Sequence, residues 1–169
     1  LGLFIVADGM GGHAGGDTAS RLAVDTIRSA VAHAKESEPE RFAATGVDDT
    51  RIPDLLQQAV EEACAVIYRT AQGQPELAGM GTTVTAALLD GRTAFVAHVG
   101  DSRCYRFRAG RLEPMTDDHS LLNDYIKMKR LTPEEIENFP HKNVIVRALG
   151  MKDTVKVDTR YEQPQPMDT

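Results

Sequence analysis

Asp8 stands where the apolar run Leu3 to Ala7 stops, and five glycines (Gly9, Gly11, Gly12, Gly15 and Gly16) crowd the eight residues after it, with His13 among them. An acid at a strand end, followed by backbone stripped of side chains, suits oxygen coordination. The carboxylate can hold a hard divalent cation such as Mg²⁺ or Mn²⁺, and the bare loop lets carbonyls and waters complete the shell. Two other readings of the same residues stand beside this one. Asp8 can be the capping acid of a tight strand-to-helix turn. The glycines can instead cradle a phosphate, but no Gly-Lys-Ser/Thr follows them. A second acid, Asp101, lies in His98-Val99-Gly100-Asp101-Ser102-Arg103. It reads either as an ordinary Gly-Asp turn or as a further metal-binding carboxylate. Arg103 reads as half of a salt bridge. His33, His98, His119 and His141 read as surface or satisfied core residues rather than ligands.

The surrounding pattern supplies the elements that must position these residues. Leu1 to Ala7 is expected as a short strand, Asp8 to Gly16 as a loop, and Asp17 or Thr18 as the cap of a helix. That helix carries Ala19, Leu22, Ala23, Thr26, Ile27, Ala30 and Val31 on one face. Lys35 to Thr50 reads as a loop with room for a further helical turn. Pro53 opens a second amphipathic helix with Leu55, Leu56, Ala59, Val60, Ala63, Val66 and Ile67, ending near Gly73. The period then changes to that of strands. Thr82 to Leu89, Thr93 to Val99, Arg103 to Arg108 and Arg111 to Met115 are expected as an antiparallel meander, broken at Asp90-Gly91, Gly100-Asp101 and Ala109-Gly110. His119 to Phe139 reads as two short helices, the second capped by Thr132 with Pro133 at its first position. Val144 to Leu149 and Val155 to Tyr161 are expected as strands, and Met80 and Met115 as packing. Helices segregated from a largely antiparallel sheet give an α+β class.

Composition narrows the field. The 169 residues are 41% hydrophobic and 26% charged, with a formal charge of −6. That is the balance of a globular domain, without the basic face that nucleic acids require. No apolar stretch approaches the roughly 20 residues of a bilayer span. Cys64 and Cys104 have neither disulfide-framework nor zinc spacing and read as buried thiols of a helix and a strand, in a reducing, cytoplasmic compartment. The chain opens on Leu1 inside an apolar run and closes on a polar, Pro-bearing stretch from Glu162 to Thr169, so it reads as a fragment.

The segments FIVADGMGGHAGGDTAS, GMGTTVTAALL, AFVAHVGDSRCYRFRAGRLEPMTDDHS, LTPEEI and NVIVRALG, in this order, resemble the PP2C-type (PPM) metal-dependent protein Ser/Thr phosphatases in their bacterial form. The resemblance spans nearly the whole chain, and DGMGGHAGG together with GDSR is highly specific. It implies two stacked antiparallel β-sheets flanked by helices, an αββα sandwich truncated at both ends, within a single partial domain over residues 1–169. It also implies two divalent metals, Mn²⁺ or Mg²⁺, bridged by Asp8 and contacted by the Gly9 carbonyl, with Asp101 helping to hold a third, weaker one. By the same resemblance His13 is the candidate proton donor to the leaving alkoxide, although other members carry their acid directly after the Asp-Gly pair. The implied reaction is in-line attack of an activated water on phosphoserine or phosphothreonine of proteins, without a phosphoenzyme, opposing a Ser/Thr kinase. A segment at about 119–141 corresponds to a mobile flap. Its Lys127, Lys129 and Arg130 read as a solvated helix face or as contacts to phosphopeptide.

The pattern is incomplete. In that family an arginine that contacts phosphate and a Glu-Asp pair come before the matched region, and Ser-Asp-Gly and Asp-Asn motifs come after it. Only part of the metal shell is therefore expected here, and the fragment alone is expected to bind metal weakly. Two alternatives differ in kind: a non-catalytic module of the same fold that binds or senses phosphoproteins, and a phosphatase of an anti-sigma antagonist. The GMGGHAGG loop and LTPEEI segment resemble the kinase-opposing group more closely.

Overall fold

The computed structural model describes residues 2–42, 51–90, 93–129, 131–165 and 168, without the side chains of His13, Arg41 and Lys129. In chain order they form β1 (Gly2–Val6), β2 (Gly9–Met10), α1 (Gly12–Ser37), α2 (Arg51–Gly73), β3 (Gly81–Thr82), β4 (Val84–Asp90), β5 (Thr93–Val99), β6 (Tyr105–Arg108), β7 (Arg111–Pro114), α3 (Leu121–Lys129), α4 (Pro133–Glu137) and β8 (Asp158–Glu162). Short 3-10 turns lie at Pro39–Phe42 and Pro75–Leu77. The main sheet is antiparallel throughout, in the order β1-β4-β5-β8, and β2-β3 and β6-β7 form two separate two-stranded ribbons. This is the expected α+β class.

One face of the main sheet meets the helices. Val84 pairs with Val99, Ala86 with Ala97 and Leu88 with Phe95, so these side chains point to the same side. Val84, Leu88, Phe95, Ala97 and Val99 join Ala19, Ala23, Ile27, Val31 and Ala34 of α1 and Leu56, Val60, Ala63 and Ile67 of α2 in one core, and Ala86 is buried too. The α1 residues recur every four positions or so and are mostly alanine. That lets α2 lie close against α1 while both still cover the sheet. The alternation of β1 places Leu3 and Ile5 against this core and leaves Phe4 and Val6 exposed on the other face.

The start of α1 differs from expectation. The helix begins at Gly12, inside the glycine run, with Gly11 as its N-cap at φ 106° and no side-chain cap, so neither Asp17 nor Thr18 caps it. Thr18 is an interior helical residue whose hydroxyl donates to Ala14 O at 2.8 Å. The glycines serve close packing: a Cβ added at Gly9 would lie 2.1 Å from Gly16 O, so the first turns of α1 rest directly on β2.

The meander is also interrupted. β6 and β7 pair only with each other, joined by Ala109 (φ 48°) and Gly110 (φ 78°). Two positive φ values in succession are what a type I′ hairpin requires. The second neighbour of β5 is instead β8, 60 residues or more along the chain, which begins at Asp158 rather than Val155. Val144 to Leu149 is not a strand. It contributes only the bridges Ser120↔Ile145 and Thr82↔Leu149, and its Val144 and Val146 are exposed. Cys104 lies just before β6 and is half-buried, whereas Cys64 is fully buried in α2 with its thiol 3.3 Å from Lys152 O. Met80 and Met115 are buried as expected. Thr132 does cap α4, in a reciprocal arrangement with Glu135 and with Pro133 at the helix start.

Candidate metal centre

Asp8 follows the last residues of β1, and its main chain is fixed from both sides by two threonines. Its N–H donates to Thr83 Oγ1 at 3.2 Å, and its carbonyl accepts from Thr83 N at 3.0 Å. The Thr82 hydroxyl lies 3.0 Å from Asp8 O and 2.9 Å from Thr83 O, its single proton shared between them. Thr82 is anchored in turn by a pair of main-chain bonds with Leu149, at 3.1 and 2.9 Å. The acid thus stands on fixed backbone while its side chain faces solvent.

The Gly100-Asp101-Ser102 turn is seated on the same threonine. Gly100 has φ +112°, and a Cβ there would lie 2.6 Å from Thr83 Cβ, so no side chain can stand between turn and strand. Ser102 Oγ lies 2.7 Å from Thr83 Oγ1, and the Thr85 hydroxyl donates to Ser102 O at 2.8 Å. Thr83 therefore touches the main chain of the first acid and the residue beside the second.

Two buried histidines support the turn from below. His98 Nδ1 lies 3.0 Å from Thr85 Oγ1 and its Nε2 3.2 Å from Asp117 O. Its ring stacks at 4.8 Å on His119. Burial first, and then the neighbouring His119, push the His98 imidazole below its ordinary 6.5. Arg103 turns away to chelate Asp118, donating from Nε at 2.7 Å, and that hydrogen bonding raises the guanidinium still further. It is the salt bridge the sequence implied. Lys127 likewise pairs with Asp117 at 3.2 Å on an exposed face. Arg130 and the Lys129 side chain lie outside the described residues.

The donor set suits a hard cation. Among the described residues no hydrogen bond or ion pair engages the carboxylate of Asp8 or of Asp101, so neither acid is neutralised by a protein cation. The donors available at the Asp8–Gly9 and Asp101 positions are all oxygen, which selects Mg²⁺ or Mn²⁺ over softer metals. The set is also partial, since no group of three His, Cys, Asp or Glu side chains converges among the described residues. His13 occupies the second residue of α1, and its side chain lies outside the described residues. Sequence reasoning missed Thr82, Thr83 and Ser102 as parts of this site. The available signal was a pair of hydroxyls at a strand entrance, next to Gly81.

Comparison with known proteins identifies the family. Residues 1–151 match the family profile described as protein phosphatase 2C. The chain is 36% identical over 167 residues to the serine/threonine phosphatase stp of Listeria monocytogenes, covering 99% of this chain and 63% of that protein. It is 38% identical over 147 residues to the serine/threonine protein phosphatase PstP of Mycobacterium tuberculosis, covering 87% of this chain and 26% of that protein. The crystal structure of the M. tuberculosis phosphatase PstP/Ppp superposes with a TM-score of 0.79 at 34% identity, over 98% of this chain and 65% of that one. The catalytic domain of PstP in complex with two manganese ions superposes with a TM-score of 0.75, again at 34% identity, over 98% of this chain and 64% of that one. The chain thus spans about 63% of the length of the Listeria relative. With the profile matched over most of its residues and the fold shared with these structures, the chain belongs to the protein phosphatase 2C family.

Proposed function

We propose that the protein carrying this chain hydrolyses phosphoserine and phosphothreonine esters on other proteins with two divalent cations, Mn²⁺ or Mg²⁺, and that it opposes a Ser/Thr kinase in the cytoplasm. The observation that carries this reading is the Thr83 bridge. It couples Asp8 to the Asp101 turn, and both carboxylates have no protein cation as partner among the described residues. The names of the relatives, and the manganese in one of their structures, support the same chemistry.

In this reading Asp8 and the Gly9 carbonyl hold the two cations and Asp101 a third, weaker one. Bound there, the cations supply Lewis acidity that readies solvent for in-line attack and offsets the phosphoryl charge. The chain's own residues do the rest. Thr82 and Thr83 keep the Asp8 peptide from shifting as charge moves, and the fixed backbone spares reorganisation during reaction. His13, at the start of α1, gives its proton to the departing serine or threonine oxygen, a poor leaving group without it. Residues 119–141, with α3 and α4, form a flap beside the site. Two free thiols, Cys64 and Cys104, support a reducing compartment in this reading.

The test is manganese-dependent release of phosphate from a phosphopeptide by the full-length protein. Activity lost on Asp8→Asn supports the reading. Absence of any manganese-dependent turnover in the wild type overturns it in favour of a non-catalytic binding role.

A further inference from the structure

His119 has only 5% of its surface exposed, yet all its polar atoms are engaged, and both ring nitrogens have partners on other segments. Its backbone N–H donates to Gly100 O at 2.7 Å, and its carbonyl accepts from Val146 N at 2.9 Å. The Gly100 N–H donates to His119 Nδ1 at 3.0 Å. A ring nitrogen that accepts carries no hydrogen, so the ring proton of the neutral imidazole sits on Nε2. There it meets Asp158 Oδ2 at 3.0 Å, as a donor meeting an acceptor. Arg147 Nη1 is also 2.9 Å from Nε2, but its two hydrogens are used by Asp158 Oδ1 at 2.9 Å and Lys156 O at 3.2 Å. The Gly100 bond therefore selects the Nε2–H tautomer, which leaves Arg147 Nη1 as a close donor–donor neighbour of Nε2. The other tautomer would set Nδ1–H against Gly100 N–H and leave Nε2 facing a carboxylate. Arg147 Nη1, 2.9 Å from Asp158 Oδ1, pairs with that carboxyl as the anion this arrangement needs.

We infer that His119 is a positioning residue for Asp101. Its unprotonated Nδ1 and its main-chain N–H grip both sides of Gly100, and Asp158 fixes the tautomer that makes the grip possible. This rests on the reading of Asp101 as a metal-holding acid. The logic resembles that of a ligating histidine steadied by a carboxylate behind it, moved one step outward: here the histidine steadies the turn that carries the ligand. His119 is joined to Gly100 across 19 residues and to Asp158 across 39, so the brace ties the Asp101 turn to the start of β8 at the far edge of the main sheet.

The test compares two substitutions in the full-length protein by calorimetric titration with Mn²⁺. His119→Asn places an amide oxygen where Nδ1 was and keeps the acceptor for Gly100. His119→Gln reaches towards Asp158 but loses that acceptor. The expected result is that the Asn variant binds Mn²⁺ nearly as the wild type does. The Gln variant should weaken the lower-affinity Mn²⁺, identified as the one abolished by Asp101→Asn, by about 10- to 100-fold. Equal effects of the two substitutions, or none from either, overturn the proposal. A wild type that binds no Mn²⁺ sensitive to Asp8→Asn overturns the metal-centre reading instead. A second measurement needs neither metal nor variant: ¹⁵N resonances of the metal-free wild type should show Nδ1 of His119 unprotonated and Nε2 protonated. A protonated Nδ1 overturns the proposal.

Discussion

Thr83 Oγ1 lies 2.7 Å from Ser102 Oγ and at the same time accepts the N–H of Asp8 at 3.2 Å, so one hydroxyl joins two loops that are remote in sequence. Thr83 is itself buried, at 1% exposure. Replacing it with valine keeps the shape and removes the hydroxyl, which strands a main-chain donor and a serine. Thr83→Val should cost about 1–3 kcal/mol, the usual penalty for unsatisfied buried polar groups. Urea denaturation would show it as a lower midpoint with unchanged slope, and Thr83→Ser should restore most of the loss.

Gly100→Ala should be worse tolerated. The new methyl would meet Thr83 Cβ and Cγ2 at 2.6 Å, on a backbone at φ +112° that side chains rarely adopt. Strain of that backbone and overpacking are each worth about 1–3 kcal/mol. A melting-temperature loss of several degrees should accompany weaker Mn²⁺ binding. Gly73→Ala, with open space around it, should leave both unchanged.

The buried His98 predicts a pH dependence. Its folded value is depressed below 6.5 by burial and by His119, so below that pH the unfolded chain takes up a proton that the folded one refuses. Stability from this group is thus fully present above pH 6.5 and is lost as pH falls through the folded value. Wild-type stability should decline on moving from pH 7.5 to 5.5. His98→Gln should flatten that part of the profile, as measured by denaturation at a series of pH values. A parallel decline in both proteins would assign the effect elsewhere.

The α4 cap is a local device. The Thr132 hydroxyl accepts from Glu135 N at 3.3 Å while the Glu135 carboxylate accepts from Thr132 N at 2.7 Å, and that second bond holds the Glu135 carboxyl below its ordinary range. Thr132→Ala should remove about 1 kcal/mol of local stability. Because α4 has no buried residue, the loss should appear as faster hydrogen exchange of the amides of residues 135–138, with little change in global unfolding.

What could be read in the sequence was what nearest neighbours decide. The stripes of α1 and α2, the Thr132-Pro133 start of α4, and the short strand that precedes Asp8 are all local patterns, and all are present. The misread elements depend on distant partners. Gly12 to Gly16 looks like a loop by propensity, but contact with β2 makes it helical. The β6-β7 hairpin looks like a continuation of β5, but β8 takes that edge instead. Of the candidate site, Asp8 stands out because a carboxylate followed by five glycines is rare, whereas Asp101 sits in a common Gly-Asp turn and is singled out only by the family resemblance. The Thr83 bridge and the His119–Asp158 brace could not be singled out, since they join residues 19 to 75 positions apart.

The contact between Gly9 and Gly16 reaches beyond packing. α1 is 26 residues long, and its side towards the core is anchored from Ala19 to Ala34. Its first turns press on the peptide just after Asp8 with no side chain between them. The glycine pair therefore acts as a bearing through which the stiffness of a long rod is transmitted to one carboxylate. A force that tilts α1 is therefore felt at the opening acid as well as at the sheet.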